Sequence, residues 1–306
     1  MTPSDTTTAG VIGLGSMGLG MAQSIARAGI VVSGFDINPA ALSKLAASGG
    51  NASRSAIEAA RNVDVLVVVV INARQTDAVL FGPGGAAAAM KPRGVIVSCA
   101  TMAPDEARRL AAKSQAMDLE YLDAPISGGA IKAAGGALTV MASGTTDAFA
   151  KARPVLNAIA TTVHELGNTA GIGASFKMIN QLLAGVHIAA ACEAITFAQK
   201  LGLDLREVYK VITGSAGNSW MFENRIPHVL DGDYSPRSAV DIFTKDLGIV
   251  SDIGRSRQFP LHLAATALQM FLMTAAAGMG KDDDASVARM LAQVTGQDLP
   301  ANRQAG

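Results

Sequence analysis

The chain of 306 residues carries 25 basic and 25 acidic residues, so it has no net charge and no basic field that would hold nucleic acid. Hydrophobic residues make up 49% and charged residues only 16%, which excludes a disordered chain. Two cysteines make no metal cluster, and no uninterrupted apolar run approaches the roughly 20 residues of a membrane span. We therefore expect a cytoplasmic protein with neither a metal nor a membrane partner.

Short apolar runs alternate with helical patterns in the first half of the chain. We predict strands at Gly10–Ile12, Ile30–Phe35, Val65–Ile71, Gly94–Ser98, Leu119–Asp123, Ala137–Met141 and Thr162–Glu165. Helical patterns lie between them at Ser16–Ala28, Pro39–Ala47, Arg54–Arg61, Pro104–Ala116 and Asp147–Ile159. The run Val65–Ile71 is rich in valine, which is typical of a central strand buried on both faces. This alternation predicts βαβ units and a parallel sheet, the α/β class of fold.

The first predicted strand leads into residues 13–18, which read Gly-Leu-Gly-Ser-Met-Gly and fit the pattern G-x-G-x-x-G. In such a loop the first glycine permits a tight turn, the second lets a pyrophosphate approach the backbone, and the third lets a helix pack closely on the strand. The N–H groups at the start of that helix would face the phosphates. We therefore predict a Rossmann domain, with candidate cofactor contacts at Gly13, Leu14, Gly15, Ser16, Met17 and Gly18.

Asp36 directly follows the second predicted strand, 18 residues after Gly18. A carboxylate at this position accepts hydrogen bonds from the ribose hydroxyls and repels a 2′-phosphate. Asp36 therefore favours NAD over NADP as the cofactor. The alternative is a glycine turn followed by an unrelated surface aspartate.

A second glycine turn, Ser127-Gly128-Gly129, follows the strand predicted at Leu119–Asp123. Ligands of parallel α/β sheets bind beyond the carboxyl ends of the strands. Exposed N–H groups and a hydroxyl suit a carboxylate ligand. The alternative is a turn with a purely structural role.

After Glu165 the strand pattern stops, and the remaining chain is predicted to be all-helical. One long, largely apolar helix is predicted over residues 170–200, and shorter helices follow at Asp204–Thr213, Ser238–Arg257, Pro260–Gly278 and Asp283–Val294. The glycine-rich stretch Gly167–Gly173 marks the boundary. We predict a Rossmann domain over residues 1–167 and a helical substrate and oligomerisation domain over residues 168–306, joined by the long helix.

Lys177 lies near the start of the long helix, and Asn180 and Gln181 share its face. A lysine on a largely apolar helix is uncommon unless it lies at a surface or in a site. Burial and a neighbouring positive nicotinamide would both lower its pKa, and such an amine can act as a general acid and base near neutral pH. The alternative is a surface lysine.

Four segments, in order along the chain, resemble the motifs of the β-hydroxyacid dehydrogenase family, which includes 3-hydroxyisobutyrate dehydrogenase and 2-hydroxy-3-oxopropionate reductase. They are residues 13–22, Asp123–Gly129, residues 171–181 and Lys245–Gly248. The resemblance implies an NAD-dependent dehydrogenase that acts on a small hydroxy acid. It also implies a Rossmann domain followed by a helical domain.

The resemblance implies roles for the residues of the second and third motifs. Ser127, Gly128 and Gly129 would hold the carboxylate of the substrate. Lys177 would take the hydroxyl proton during oxidation and return it during reduction. Asn180 would orient the substrate through hydrogen bonds.

Other positions follow the family less closely. Gln181 stands where the family often has asparagine, and it is a candidate substrate contact. Thr101 and Lys245 would contact the nicotinamide. Asn72 is a candidate cofactor contact whose role is open. Trp220, the single tryptophan, either forms a wall of the substrate pocket or anchors packing.

Residues 214–225 and 234–237 most resemble the family members that oxidise L-threonate, which makes L-threonate the expected substrate. The alternatives are 2-hydroxy-3-oxopropionate and 3-hydroxyisobutyrate. A catalytically silent NAD-binding protein or an imine reductase on the same fold would lack the lysine that is present here. The excess of apolar residues, in the long helix and at Leu261–Gly278, predicts a homodimer or homotetramer.

Overall fold

The computed structural model describes residues 7–300 and divides the chain into two compact units. The first unit ends at Lys177 and the second begins at Met178. The long helix predicted over residues 170–200 spans Ile172–Lys200, so this division falls within it. The predicted domain limits at residues 167 and 168 stay a prediction.

Six parallel strands form the central sheet of the first unit. They are β1 (Thr8–Ile12), β2 (Val31–Phe35), β3 (Asn51–Ala52), β4 (Val65–Val68), β5 (Val95–Ser98) and β6 (Glu120–Asp123). Their order across the sheet is β3-β2-β1-β4-β5-β6, so the direction of the connections reverses between β1 and β4. Ligands of open α/β sheets bind at this reversal, beyond the carboxyl ends of the strands. The predicted Rossmann-type α/β fold is confirmed.

Both faces of this sheet are covered, which explains its valine-rich strands. Val67 and Val97 lie in one core while their neighbours Leu66 and Ile96 lie in the other, as the two-residue period of a strand requires. The helices of the first unit are α1 (Gly18–Arg27), α2 (Pro39–Ala47), α3 (Ala56–Ala60), α4 (Ala73–Phe81), α5 (Pro104–Gln115), α6 (Gly129–Ala134) and α7 (Thr146–Ile159).

Strand β4 is shorter than predicted. It ends at Val68 instead of Ile71, because the chain turns out of the sheet to begin α4. Asn72 caps that helix, since its side-chain oxygen accepts a hydrogen bond from the Gln75 N–H at 2.9 Å. A continuous run of valine, leucine and isoleucine carries no local signal for the residue at which strand pairing stops.

A separate three-stranded sheet lies in the same unit. It consists of β7 (Ile126–Ser127), β8 (Leu138–Ala142) and β9 (Ala160–Glu165). Strand β7 runs antiparallel to β8, and β8 runs parallel to β9. The last two predicted strands therefore belong to this smaller sheet. Strand β7 was not predicted, because two residues are too few to show a period.

The described part of the chain beyond Glu165 is helical and contains no regular strand, as predicted. Its helices are α8 (Ile172–Lys200), α9 (Leu205–Thr213), α10 (Trp220–Asp231), α11 (Val240–Ser256), α12 (His262–Thr274) and α13 (Ser286–Thr295). Helix α10 was not predicted, because Pro227 lies inside it and proline normally ends a helix. Burial of Ile226 and Val229 in the core of the second unit keeps the helix together across the proline.

Two adjacent aspartates hold the chain before α13 against α10. Asp284 accepts hydrogen bonds from Arg225 Nε at 2.5 Å and Nη2 at 3.0 Å. The Nδ1 atom of His228 lies 2.8 Å from a carboxylate oxygen of Asp283. All four side chains are buried. Removing one member of a buried pair would leave an uncompensated charge, which is strongly destabilising. The four contacting side chains therefore hold the segment before α13 in place on α10.

Among residues 7–300, two helices are long and apolar enough to cross a membrane by length and composition alone, Ile172–Lys200 and His262–Met279. Core helices of soluble proteins meet the same criterion, and 56% of the apolar window of the first helix is buried inside the protein. Only 28% of the window of the second is buried. Its exposed side chains include Leu263, Leu272 and Met273.

Candidate active site

The loop between β1 and α1 has the conformation that its glycines predict. Gly13 has a φ of +89°, a region that glycine occupies without strain. A methyl group on Gly18 would lie 1.8 Å from the Gly13 carbonyl oxygen, so the helix packs as closely as a glycine allows. A methyl group on Gly15 would meet no atom within 4 Å. The middle of the loop, with exposed Ser16 and half-buried Met17, is therefore open to a pyrophosphate.

Asp36 lies directly beyond β2 and is hydrogen-bonded to this loop. Its Oδ2 accepts from the Leu14 N–H at 2.6 Å, and its Oδ1 accepts from the Asn38 N–H at 2.8 Å. Leu14 is itself buried, so it offers the loop its backbone and not its side chain. Each carboxylate oxygen has about two acceptor positions. Asp36 therefore keeps acceptor capacity for ribose hydroxyls.

Two further predicted cofactor contacts follow the strands next to β1. Asn72 lies beyond β4, Thr101 lies beyond β5, and both are partly exposed. Because β1, β4 and β5 are parallel neighbours, these residues share one edge of the sheet with the glycine loop. The side chain of Asn72 caps α4, which gives it a structural role of its own.

The second glycine turn joins β7 to α6. Gly128 has a φ of +136° and Gly129 a φ of +77°, so any other residue would be strained at either position. A methyl group on Gly129 would meet no atom within 4 Å, and Ser127 is partly exposed. The turn is thus open at Gly129, beside the Ser127 hydroxyl, whereas a methyl group on Gly128 would lie 2.9 Å from the Lys132 side chain. A hydroxyl and backbone N–H groups of such a turn suit a carboxylate ligand.

Lys177 is buried, with 6% of its surface exposed. Its Nζ donates a hydrogen bond to the carbonyl oxygen of Ile126 at 2.7 Å. Ile126 directly precedes Ser127, so the amine lies beside the open glycine turn. The alternative of a surface lysine is wrong. This hydrogen bond brings together two predicted motifs, because Lys177 and Ile126 lie 51 residues apart along the chain.

Asn180, Gln181, Asp246 and Lys245 form one chain of polar contacts within the second unit. Asn180 Nδ2 donates to Gln181 Oε1 at 2.9 Å, and Gln181 Nε2 donates to Asp246 Oδ2 at 2.5 Å. Lys245 Nζ forms an ion pair with the other oxygen of Asp246 at 2.7 Å. Three predicted site residues are therefore connected through one aspartate.

Asp246 was not among the predicted site residues. It is 1% exposed and lies on the buried face of α11, together with Phe243, Leu247 and Val250. An aspartate on an apolar helix face needs a buried partner, and this pattern could have singled it out. Its partner Gln181 lies 65 residues away, and no local signal indicates that pairing.

Trp220 begins α10, and 51% of its surface is exposed. Ser219 caps the helix by accepting a hydrogen bond from the Phe222 N–H at 3.0 Å. A ring this exposed does not anchor the core of the second unit. The role of Trp220 as a wall of a substrate pocket stays a prediction.

The residues of the first unit fit a dinucleotide. The open space at Gly15 and the close packing at Gly18 meet the needs of a pyrophosphate, and Asp36 lies where a ribose would need an acceptor. Within residues 7–300, no group of three histidine, cysteine, aspartate or glutamate side chains could hold a metal ion. The arrangement offers anion binding at glycine turns and proton transfer at a buried amine.

Two family models match the chain in succession. Residues 8–167 match the NAD binding domain of 6-phosphogluconate dehydrogenase. Residues 171–291 match the NAD-binding region of NADP-dependent 3-hydroxyisobutyrate dehydrogenase. Together they extend over most of the described chain.

The chain is also similar to named relatives over nearly its full length. It is 50% identical to the L-threonate dehydrogenase of Cupriavidus necator, over 96% of this chain and 98% of the relative. It is 49% identical to the L-threonate dehydrogenase of Escherichia coli, over 94% of this chain and 95% of the relative. The crystal structure of a 3-hydroxyisobutyrate dehydrogenase from Salmonella typhimurium superposes with a TM-score of 0.89 at 51% identity, covering 93% of this chain and 99% of that one.

Proposed function

Because this chain belongs to the β-hydroxyacid dehydrogenase family, in which 3-hydroxyisobutyrate dehydrogenase is a member, we propose that it oxidises L-threonate with NAD as the hydride acceptor. Family membership makes the protein an oxidoreductase with a nicotinamide cofactor and a small-molecule substrate. The choice of L-threonate rests on the relatives of that name, which match both units of the chain.

One observation carries the proposed chemistry, the buried Lys177 amine beside the turn Ser127–Gly129. The turn can hold a carboxylate through its hydroxyl and N–H groups. A hydroxy acid bound in this way would have its hydroxyl within a few ångströms of the amine. Lys177 is then the general base, and Asn180 orients the substrate.

The proton transfer follows from the Lys177 contacts. When bound, the nicotinamide supplies the acceptor for the hydride that leaves the substrate carbon. The neutral amine of Lys177 takes the hydroxyl proton as the C–H bond breaks, and the hydroxyl becomes a carbonyl group. A neutral amine keeps two N–H bonds, so it can still donate to Ile126 while its lone pair accepts the proton. In the reverse reaction the ammonium returns that proton.

We assign NAD rather than NADP to the cofactor site because of Asp36. A 2′-phosphate beside this carboxylate would meet like charge, and the residues that follow, Ile37, Asn38 and Pro39, include no cation to balance it.

Replacing Asp36 with alanine should raise the KM for NAD roughly tenfold, because a charge-assisted hydrogen bond contributes about 1.5–3 kcal/mol. The KM for NADP should fall. Asp147→Ala removes an equal charge from an exposed site in the same unit and should change neither constant.

A panel of hydroxy acids tests the substrate. The purified protein is mixed with NAD and L-threonate, 3-hydroxyisobutyrate, glycerate or L-serine, while NADH absorbance is followed. We expect the highest kcat/KM with L-threonate, and the oxidised carbon is then read from the NMR spectrum of the product. Turnover of 3-hydroxyisobutyrate alone would instead favour 3-hydroxyisobutyrate as the substrate, an alternative supported by the 51% identical crystal structure of a 3-hydroxyisobutyrate dehydrogenase. No turnover with any acid would refute the proposal.

We further propose that second copies of the chain cover the exposed leucines of α12. Leu263 is 72% exposed and Leu272 is 42% exposed. Contact with another copy would remove this apolar surface from water. The active protein would then be a homodimer or homotetramer in the cytoplasm. Light scattering after gel filtration should give a mass at least twice 31.2 kDa.

A further inference from the structure

Side chains from two strand ends hold the first turn of α8. Asp123 Oδ2 accepts hydrogen bonds from the Gly171 N–H at 2.9 Å and from the Ala174 N–H at 2.8 Å. Ser143 Oγ accepts from the Gly173 N–H at 2.9 Å. A helix leaves its first N–H groups without partners inside the helix, and a nearby side chain normally supplies them. Here the partners come from residues up to 51 positions earlier in the chain.

Asp123 and Ser143, which we call the helix clamp, are themselves firmly fixed. Their backbones exchange two hydrogen bonds, of 3.0 Å from Asp123 N and 2.9 Å from Ser143 N. Both side chains are buried, with 1% and 0% of their surface exposed. Burial raises the pKa of Asp123 to about 6. The hydrogen bonds that it accepts from the Ala174 and Gly171 N–H groups, and the charge of Arg108 on α5, act in the opposite direction and favour the charged form. The buried carboxylate satisfies two backbone N–H donors.

The glycines of the first turn allow this contact. A methyl group on Gly173 would lie 2.4 Å from the Met141 carbonyl oxygen and 2.6 Å from that of Asp123. Gly171 has a φ of +95°. The two glycines therefore let the start of the helix press directly on the ends of β6 and β8, and they serve docking, not chemistry.

The same stretch of chain reaches Lys177 from the other side. Asp123 binds the first turn of α8, and Ile126, three residues later, accepts the hydrogen bond from Lys177 Nζ. The turn Ser127–Gly129 follows directly. Two contacts of this short segment therefore fix the distance between the amine and the turn. Asp123 holds the start of α8, and Ile126 accepts the hydrogen bond from Lys177 itself.

Building on the proposed function, we propose that Asp123, assisted by Ser143, is a positioning residue for the reaction. It fixes the start of α8 and so holds the Lys177 amine at a reacting distance from a substrate bound by Ser127–Gly129. Asp123 touches neither substrate nor cofactor in this role. Its loss lets the helix start shift, and a displacement of about 1 Å can lower a rate by up to about 10²-fold.

Steady-state kinetics of three variants test the clamp in the full-length protein. Asp123→Ala should lower kcat by at least about tenfold while the KM for NAD stays within about twofold. Asp123→Asn keeps an oxygen acceptor of the same shape and should restore most of the kcat. Ser143→Ala removes one neutral acceptor from the same turn and should lower kcat by a smaller factor. An unchanged kcat in folded Asp123→Ala, or an Asn variant as slow as the Ala variant, would overturn the proposal.

Amide hydrogen exchange separates this proposal from the assignment of the substrate. Residues 171–177 should exchange faster in Asp123→Ala and Ser143→Ala than in the wild type, and at the wild-type rate in Asp123→Asn. This readout needs no turnover, so it stands even if no hydroxy acid is oxidised. If Asp123→Ala does not fold, Ser143→Ala decides: wild-type exchange together with wild-type kcat in that variant would refute the clamp.

Discussion

The two units hold their candidate site residues by different means. In the first unit two glycine turns expose backbone atoms at strand ends, shaped by glycines such as Gly13 and Gly128. In the second unit they are side chains fixed by buried charge, as in the pair of Lys245 and Asp246. A glycine turn is formed by residues that are adjacent in the sequence, whereas a buried pair joins residues that can be far apart in it. The first kind of site can therefore be predicted from sequence, and the second needs the fold.

Lys177 tests the comparison most severely, because it is a buried functional side chain that belongs to the first unit, where its amine donates to a backbone carbonyl. Lys177→Met preserves the length and the burial of the side chain but removes the proton acceptor. We expect kcat to fall by about 10³-fold or more, since general acid–base groups contribute roughly 10²–10⁴. The dissociation constant for NAD, measured by protein fluorescence, should not change.

Lys200→Ala is the matched control for this variant, because Lys200 is an exposed lysine at the far end of the same helix. It should keep wild-type kcat. Substantial turnover by Lys177→Met would show that another group carries the proton.

Asp246 tests the side-chain network of the second unit. Asp246→Asn removes the charge that pairs with Lys245 while nearly preserving the shape. We expect the free energy of unfolding to fall by about 3 kcal/mol, since breaking a buried ion pair costs about 3–5 kcal/mol. The kcat/KM should fall by at least about tenfold, because the new NH2 group is a donor and faces either Lys245 or Gln181, which are donors themselves, so the contacts that fix Gln181 and Asn180 are displaced.

Asp252→Asn changes an exposed aspartate on the same helix and should alter the free energy of unfolding by less than about 0.5 kcal/mol. Equal effects of the two substitutions, measured by urea denaturation, would contradict the distinction between a buried network and surface charge.

Two glycines of the cofactor loop test the backbone site of the first unit. Gly18→Ala should destabilise the protein by about 1–3 kcal/mol, because the new methyl group would overlap the Gly13 carbonyl oxygen. Gly15→Ala should leave the melting temperature unchanged, since its methyl group meets no protein atom. It should nevertheless weaken NAD binding about tenfold or more by filling the space for the pyrophosphate. Normal NAD affinity in Gly15→Ala would place the cofactor elsewhere.

Asn72 gives the smallest expected effect. Asn72→Ala removes the cap of α4 and should lower the free energy of unfolding by about 1 kcal/mol. Asn72→Ser restores a capping oxygen and should recover most of that loss. A rise in the KM for NAD that both variants share would indicate a cofactor contact in addition to the cap.

The difference between local and distant signals also explains which predictions succeeded. The parallel sheet, the glycine loop and the all-helical second half followed from periodicity and from adjacent residues. Strand β7, helix α10 and the end of β4 did not, because pairing partners and core contacts override local preference there. A motif singled out Lys177, and its catalytic role stays a prediction. Its contact with Ile126 and the role of Asp246 depend on chain segments that only folding brings together.

The buried pairs of Asp283 and Asp284 have a consequence for how the chain is made. Their partners, Arg225 and His228, are synthesised 55 to 59 residues earlier, so these buried pairs cannot form until the two aspartates have been added. The central sheet is complete once β6 has been synthesised, so the first unit can fold while the second is still incomplete. A nascent chain stalled before Asp283 would carry a folded nucleotide-binding sheet and an unfinished helical half, and it would be exposed to proteolysis there until the last helix arrives.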